Sequence, residues 1–113
     1  MITTRPLGEL ARVVRSKVAG HTRLTFDIIF DDRVLYEQVK NSGVISPKLF
    51  SRLYRVSLDQ VTDFTVFDAG CAFKATIIRP LRNEYEGIGE SDVFGSNQHI
   101  PLLTVQIPLP EEG

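Results

Sequence analysis

Residues 24–30 constrain the fold of this chain more than any other part of its sequence. Large apolar side chains alternate there with polar ones: Leu24, Phe26, Ile28 and Phe30 form one set, and Thr25 and Asp27 the other. Because successive side chains of a strand point to opposite faces, this pattern predicts a strand with one buried face. Such a strand requires a sheet that other elements cover on one side.

Two helices are predicted after this strand. Asp31-Asp32 offers an N-cap for the first helix, and Gly43 lies where a C′ glycine is expected. Ser46-Pro47 begins the second helix, with a cap followed by proline at the first helical position. Residues at helical spacing follow each start: Val34, Leu35, Gln38 and Val39 in the first helix, and Leu49, Phe50, Leu53 and Tyr54 in the second. Ser57 to Gln60 fits a capping box with room for one turn.

The remaining sequence returns to a period of two. Phe64 and Val66, the turn at Asp68-Ala69-Gly70-Cys71, and then Phe73, Ala75 and Ile77 predict a hairpin. Residues 81–98 are predicted to form a long surface loop. Residues 102–107 are predicted as a last strand, bounded by Pro101 and Pro108.

The segment of residues 7–15 is compatible with two structures. Leu7, Leu10, Ala11 and Val14 have helical spacing, and Gly20 suits the end of a helix. The β-branched pair Val13-Val14 favours a strand instead, and such a strand would supply a partner for the last one. Either structure gives an α+β sandwich, with an antiparallel or mixed sheet covered on one face, in a single domain of residues 1–113.

Composition excludes several classes of function. The formal net charge of −1 gives no electrostatic basis for binding nucleic acid or an anionic membrane. The apolar stretches are far shorter than the ~20 residues of a spanning helix, and the first residues do not resemble a secretory signal. Cys71 is the only cysteine, so neither an internal disulfide nor a thiolate metal site is expected. These features predict a cytoplasmic protein without a cofactor or a metal.

Few residues are suited to catalysis or binding. Arg12, Arg15 and Lys17, with Ser16 and Gly20, suit a carboxylate or phosphate, although a solvated basic face has the same composition. His99, after Gln98, is a candidate acid, base or substrate donor, although a single histidine at a strand end is more often hydrogen-bonded to the backbone. Asp27 is predicted to pair with a nearby arginine or to face solvent.

Several ordered sequence blocks resemble a known family. These blocks are Arg15-Ser16-Lys17 with Gly20, residues 24–30, and Asp92-Val93-Phe94-Gly95 leading to residues 98–103. They resemble a small family of unknown function found beside, or fused to, acyclic terpene utilisation protein A-like (AtuA-like) proteins. A related ferredoxin-like domain carries an Arg-Ser-Gly-Asp-Lys-Gly motif; Arg15 and Ser16 match its start, Lys17 replaces the glycine, and the Asp-Lys pair is absent.

The resemblance implies a ferredoxin-like fold, with a mostly antiparallel sheet of four or five strands covered by two or three helices. It also implies an AtuA-like partner in carboxylic-acid or acyl-CoA catabolism. The chain would then be an accessory subunit, possessing too few catalytic groups to act alone. The alternative is a stand-alone homo-oligomeric protein or small enzyme that binds an organic acid.

Both functions use one proposed site. Its acid or base is His99, and its substrate-binding residues are Arg15, Ser16, Lys17, Gly20, Asp27 and Gln98. If residues 7–15 form a strand antiparallel to residues 101–107, Arg15, Ser16 and Lys17 lie close to Gln98 and His99. A homo-oligomer, a dimer or larger, is expected when the chain is expressed without a partner, because a domain this small is expected to cover its short last strand, fenced by Pro101 and Pro108, with another chain.

Overall fold

The computed structural model describes residues 2–19, 22–78 and 99–110. Within these ranges the chain is α+β. The strands are β1 (Ile2–Pro6), β2 (Val13–Val18), β3 (Arg23–Ile29), β4 (Val61–Phe67), β5 (Ala72–Ile78) and β6 (Gln106–Pro110). The helices are α1 (Leu7–Leu10), α2 (Arg33–Ser42), α3 (Pro47–Tyr54) and α4 (Ile100–Leu103), and short 3-10 turns cover Leu58–Gln60 and Asp68–Gly70. No helix in these ranges has the length and apolar character that crossing a membrane requires.

The strands form two antiparallel sheets. The larger sheet has the order β2-β3-β5-β4, and β1 pairs with β6 in a separate two-stranded sheet. The chain leaves β3, passes through α2 and α3, and returns as β4, while β5 lies between β3 and β4. This split arrangement is the one found in ferredoxin-like folds, and the architecture is compatible with a ferredoxin-like sandwich.

Helix α2 begins and ends where its sequence signals predict. Oδ1 of Asp32 accepts hydrogen bonds from the backbone N–H groups of Val34 (2.9 Å) and Leu35 (3.2 Å). Gly43 ends the helix with φ of 74°, a left-handed conformation that glycine adopts at little cost. The predicted buried face of α2 was partly wrong. Tyr36 and Val39 are its buried residues, and Val34 is 66% exposed.

Helix α3 also confirms its predicted start. Oγ of Ser46 accepts a hydrogen bond from Leu49 N–H at 3.3 Å, and Pro47 opens the helix. Its buried face carries Phe50 and Tyr54, whose ring centroids lie 5.4 Å and 4.8 Å from that of Phe26 on β3. The predicted half-buried strand and the predicted amphipathic helix therefore bury their apolar faces against each other.

The apolar pattern of the sequence predicts that ten residues are buried together: Leu24, Phe26, Ile28, Phe30, Val39, Leu53, Phe64, Val66, Phe73 and Ile77. Most of this predicted core is confirmed. Seven of the residues expected inside are buried: Leu24, Phe26, Ile28, Phe30, Val39, Phe73 and Ile77. Leu53 and Phe64 are partly buried, whereas Val66 is 39% exposed. Val66 lies near the end of β4, the last strand in the order of the larger sheet, so fewer neighbours are available to cover it.

The predicted hairpin is confirmed as β4 and β5, joined by the turn Asp68–Gly70. Cys71 closes this turn in the left-handed conformation, with φ of 51°. The predicted loop of residues 81–98 lies outside the described residues.

The predicted last strand exists, but its bounds were wrong. Residues 100–103 form α4 instead, and the strand β6 follows at Gln106–Pro110. Pro101 lies in the first turn of α4, where the missing N–H of proline removes no helical hydrogen bond. Pro108 lies inside β6, which the small two-stranded sheet tolerates because each of its strands has only one described partner.

Residues 7–15 combine the two structures that the sequence left open. Residues 7–10 form α1, and β2 begins at Val13. Leu7 N–H donates to Val105 C=O at 2.8 Å. A Cβ at Gly8 would lie 3.2 Å from the Leu103 carbonyl oxygen, so the glycine allows α1 to approach α4 closely.

Candidate functional site

Strand β2 divides the predicted anion-binding residues between the two faces of the larger sheet. Arg15 lies opposite Asp27, Ser16 opposite Phe26, and Lys17 opposite Thr25. Ser16 therefore lies on the face of Phe26 and is only 6% exposed, whereas Arg15 and Lys17 are exposed on the other face. Because the side chains of a strand alternate, these three neighbours cannot form one site.

Asp27 forms an ion pair with an arginine, one of the two alternatives that the sequence left open. Nε of Arg15 donates to Oδ2 of Asp27 at 3.0 Å across the β2–β3 ladder. The side chain of Asp27 is 17% exposed and that of Arg15 is 63% exposed. Lys74 on β5 lies opposite Asp27 on the other side, so a basic, an acidic and a basic residue follow one another across the sheet.

The face that carries this row has a local excess of positive charge. We call it the polar face; its polar and charged members are Arg15, Lys17, Arg23, Thr25, Asp27, Asp63, Thr65, Lys74 and Thr76. Four of these residues are basic and two are acidic, which gives a formal charge of +2, whereas the whole chain carries −1. Helices α2 and α3 pack on the opposite face, through contacts such as Phe50 to Phe26 and Tyr36 to Phe73.

His99 lies at the N-terminal end of α4 and is half-buried. Its backbone carbonyl accepts a hydrogen bond from Leu102 N–H at 2.9 Å. Its Nδ1 atom is buried and has no hydrogen-bond partner in the part of the chain that the structure describes. A buried polar atom is normally paired, so this nitrogen marks an interaction that the described residues do not supply.

The ladder expected to bring Arg15 and His99 together does not form. The first and last strands do pair antiparallel, but they comprise residues 2–6 and 106–110. Arg15 belongs instead to the larger sheet, where β3 is the partner of β2. Gly20 and Gln98, the other predicted site residues, lie outside the described residues.

A second polar cluster was missed by the sequence analysis. The buried Tyr36 on α2 donates its hydroxyl to Oδ1 of Asp68 at 2.5 Å, and Nζ of Lys40 donates to the same oxygen at 3.0 Å. Arg33 adds a hydrogen bond of 2.7 Å from its guanidinium to the Asp68 carbonyl. The cluster thus fastens α2 to the β4–β5 turn. The only sequence signal was that Tyr36, Lys40 and Arg33 share one helical face, and the contact of that face with Asp68 requires the tertiary structure.

The same contacts shift the acidity of the cluster. The hydrogen bond from Tyr36, and then that from Lys40, lower the pKa of Asp68. The hydrogen bond to Asp68 raises the pKa of Lys40. Burial, followed by the contact with Asp68, raises the pKa of Tyr36. At neutral pH the cluster therefore holds a carboxylate, an ammonium and a neutral phenol.

Asp68→Asn should lower the free energy of unfolding near neutral pH. The difference from the wild type should become smaller as the pH falls. A carboxyl group whose pKa is lowered by folding stabilises the fold above its unfolded-state pKa of about 3.9, and this stabilisation is lost as the pH falls through the folded-state value. Urea unfolding of the variant and the wild type between pH 7 and pH 3 measures the difference. Asp31→Asn, at an exposed aspartate, is the control. A difference between Asp68→Asn and the wild type that stays constant across this range would contradict the assignment.

The described residues offer no site for a metal ion. Within them, no group of three or more histidine, cysteine, aspartate or glutamate side chains is arranged to bind one. The exposed guanidinium of Arg15 and ammonium of Lys17 are groups that bind anions.

Comparison with known proteins gives the family of the chain. Residues 7–106 match the family described as "Domain of unknown function (DUF4387)". This description gives neither an activity nor a partner, and it contains no link to AtuA-like proteins. No curated protein and no solved structure shows a significant match. Because the match extends over most of the sequence, the chain belongs to the DUF4387 family of domains of unknown function.

Proposed function

We propose that the chain is an accessory subunit or domain that binds an organic anion on the polar face of its larger sheet. The excess of basic residues on that face, in a chain that is acidic overall, is the observation that carries this proposal. Arg15 and Lys17 project from neighbouring same-face positions of β2, at a spacing of about 7 Å along the strand. This spacing suits a carboxylate or phosphate held between a guanidinium and an ammonium group.

Asp27 has a positioning role in this site. Its carboxylate holds Nε of Arg15, which leaves the terminal guanidinium nitrogens as the donors for a ligand. Arginine binds carboxylates best through two parallel N–H groups, and a fixed Nε orients this pair. Ser16 is excluded from this site because its side chain lies on the opposite face.

His99 enters the proposal as the acid or base that the accessory domain would offer to a larger active site. Support comes from its buried Nδ1, which has no hydrogen-bond partner among the described residues. The scarcity of other catalytic groups favours an accessory role over a complete enzyme. The proposed partner is an AtuA-like protein in carboxylic-acid or acyl-CoA catabolism, and it rests on the sequence resemblance alone.

Binding of small organic anions tests the first part of the proposal. Titration of the purified chain with succinate and with acetyl-CoA should shift the backbone amide NMR signals of β2 and β3. Arg15→Ala and Lys17→Ala should each weaken binding at least about tenfold, the loss expected for one charge-assisted hydrogen bond. The melting temperature should stay nearly unchanged, because exposed ion pairs contribute little to stability.

Lys48→Ala is the matched control for these titrations. Lys48 is an exposed lysine on α3, in the layer that covers the opposite side of the sheet. If Lys48→Ala weakens binding as much as Lys17→Ala, the attraction is non-specific and the site is wrong. The absence of saturable shifts with either ligand would also reject it.

Co-expression with an AtuA-like protein tests the second part. The accessory function predicts that the two proteins co-purify, and that His99→Ala lowers the activity of the complex without dissociating it. If the chain alone converts a carboxylic acid or an acyl-CoA thioester, the stand-alone enzyme is correct instead.

A further inference from the structure

The exposed strand edges of this fold differ in how well they are protected against pairing with another chain. An edge strand presents unpaired N–H and C=O groups, and proteins commonly block such edges with charges or with proline. On the β2 edge, Arg15 and Lys17 are both exposed. The two-stranded sheet contains Pro6, Pro108 and Pro110. These edges are poor sites for a second copy, because like charges repel and proline donates no hydrogen bond.

Strand β4 is the other edge strand of the larger sheet, and neither basic residues nor proline protect it. Its seven residues include neither proline nor a basic residue, and Asp63 is its only charged residue. Val66 is 39% exposed and Phe67 is 57% exposed, while Phe64 is only partly buried beside Phe50. The edge of β4 is therefore both apolar and nearly uncharged.

From this comparison we infer that two copies of the chain associate through antiparallel pairing of their β4 strands. A β-bulge separates Val61 from Asp63, so the regular part of the strand is residues 63–67 and its midpoint is Thr65. A twofold axis at Thr65 uses this whole regular part. It places Thr65 of one copy opposite Thr65 of the other. Phe64 of each copy then lies opposite Val66 of the other copy, so this pair occurs twice.

Three of the five pairs formed in this register are favourable, namely Thr65 with Thr65 and the two pairs of Phe64 with Val66, whereas the other two place Asp63 opposite Phe67 on the polar face. Thr–Thr pairs and aromatic–β-branched pairs both stabilise antiparallel strands. Phe64 and Val66 lie on the face covered by the helices, so each copy covers the apolar surface that the other leaves exposed. The two Asp63 carboxylates lie about 13 Å apart along the strands, whereas an axis at Asp63 would place them directly opposite each other. For two copies paired through β4, the positions of Asp63 thus favour an axis at Thr65 over an axis at Asp63.

The resulting dimer has a continuous eight-stranded sheet, twice the four strands of each copy. Its twofold axis is perpendicular to the sheet, so both polar faces lie on the same side. This association is independent of the proposed anion binding, because Arg15 and Lys17 lie on the opposite edge of the sheet.

A charge-pairing experiment tests this dimer and its register together. The wild-type chain should sediment as a dimer at micromolar concentration. Thr65→Lys and Thr65→Glu each place like charges opposite each other at the axis, and each should raise the dissociation constant at least about tenfold. A mixture of the two variants should restore a dimer, because Lys and Glu then face each other. Thr65 is exposed, so both variants should retain the fold.

Thr22→Lys and Thr22→Glu are the matched controls, because Thr22 is an exposed threonine between β2 and β3, away from β4. They should leave the dimer intact. The inference is overturned if the wild type is still a monomer at about 100 μM, a concentration well above a micromolar dissociation constant. It is also overturned if Thr65→Lys remains as dimeric as the wild type, or if the mixture of charged variants stays monomeric.

Discussion

Phe26→Ala will lower the free energy of unfolding by about 3–5 kcal/mol, the usual cost of deleting a buried phenyl ring. The ring of Phe26 is fully buried and lies between β3 and α3, where it contacts the rings of Phe50 and Tyr54. Its removal leaves a cavity in the centre of the sheet–helix interface. Chemical denaturation at a fixed protein concentration measures the change.

Val34→Ala is the control for this experiment. Val34 lies on α2 and is 66% exposed, so its truncation should change the free energy of unfolding by no more than about 0.5 kcal/mol. A loss below about 1 kcal/mol for Phe26→Ala would show that the centre of the core is elsewhere.

Leu102→Ala is the second substitution with a large expected effect, a loss of about 2–5 kcal/mol. Leu102 is fully buried although it lies in the short helix α4, near the end of the chain. It belongs to the same apolar cluster as Leu7, Ile107 and the residues of the larger sheet. The substitution therefore tests whether the terminal segments share one core with the sheet and the two long helices.

Ile100→Ala provides a matched control within the same helix. Ile100 is 54% exposed, so its truncation should cost no more than about 0.5 kcal/mol. Urea unfolding should show one transition for both variants, because a shared core unfolds cooperatively. If Leu102→Ala produces a separate early transition while the main one keeps its midpoint, α4 and β6 form an independent unit.

The elements with strong local signals were predictable from the sequence. Asp32 and Gly43 bound α2, and Ser46-Pro47 starts α3, because caps act through the backbone of the adjacent turn. The alternation of residues 24–30 identified β3 and its buried face, since side-chain direction in a strand has a period of two. The ion pair of Asp27 with an arginine was one of two alternatives that the sequence left open for a charged residue on the polar side of an apolar strand.

The end segments were not predictable by the same reasoning. Residues 102–107 have the apolar alternation of a strand, yet part of this segment is α4, because Leu102 is buried and Leu7 N–H bonds to Val105 C=O. Packing also decided which face of α2 is buried. Val34 and Tyr36 are both apolar enough for a core, and only the position of Phe73 and Asp68 decides that Tyr36 points inward.

For the candidate site, the residue types could be read from the sequence alone: two basic residues on β2, one aspartate on β3 and one histidine near α4. The tertiary structure decided which of them share a surface. It placed Arg15, Lys17 and Asp27 together on the polar face, moved Ser16 to the buried face and left β1, rather than β2, as the partner of the last strand. The physical reason is that caps and periodicity are local, within one or two turns, whereas strand pairing depends on how distant apolar surfaces bury one another.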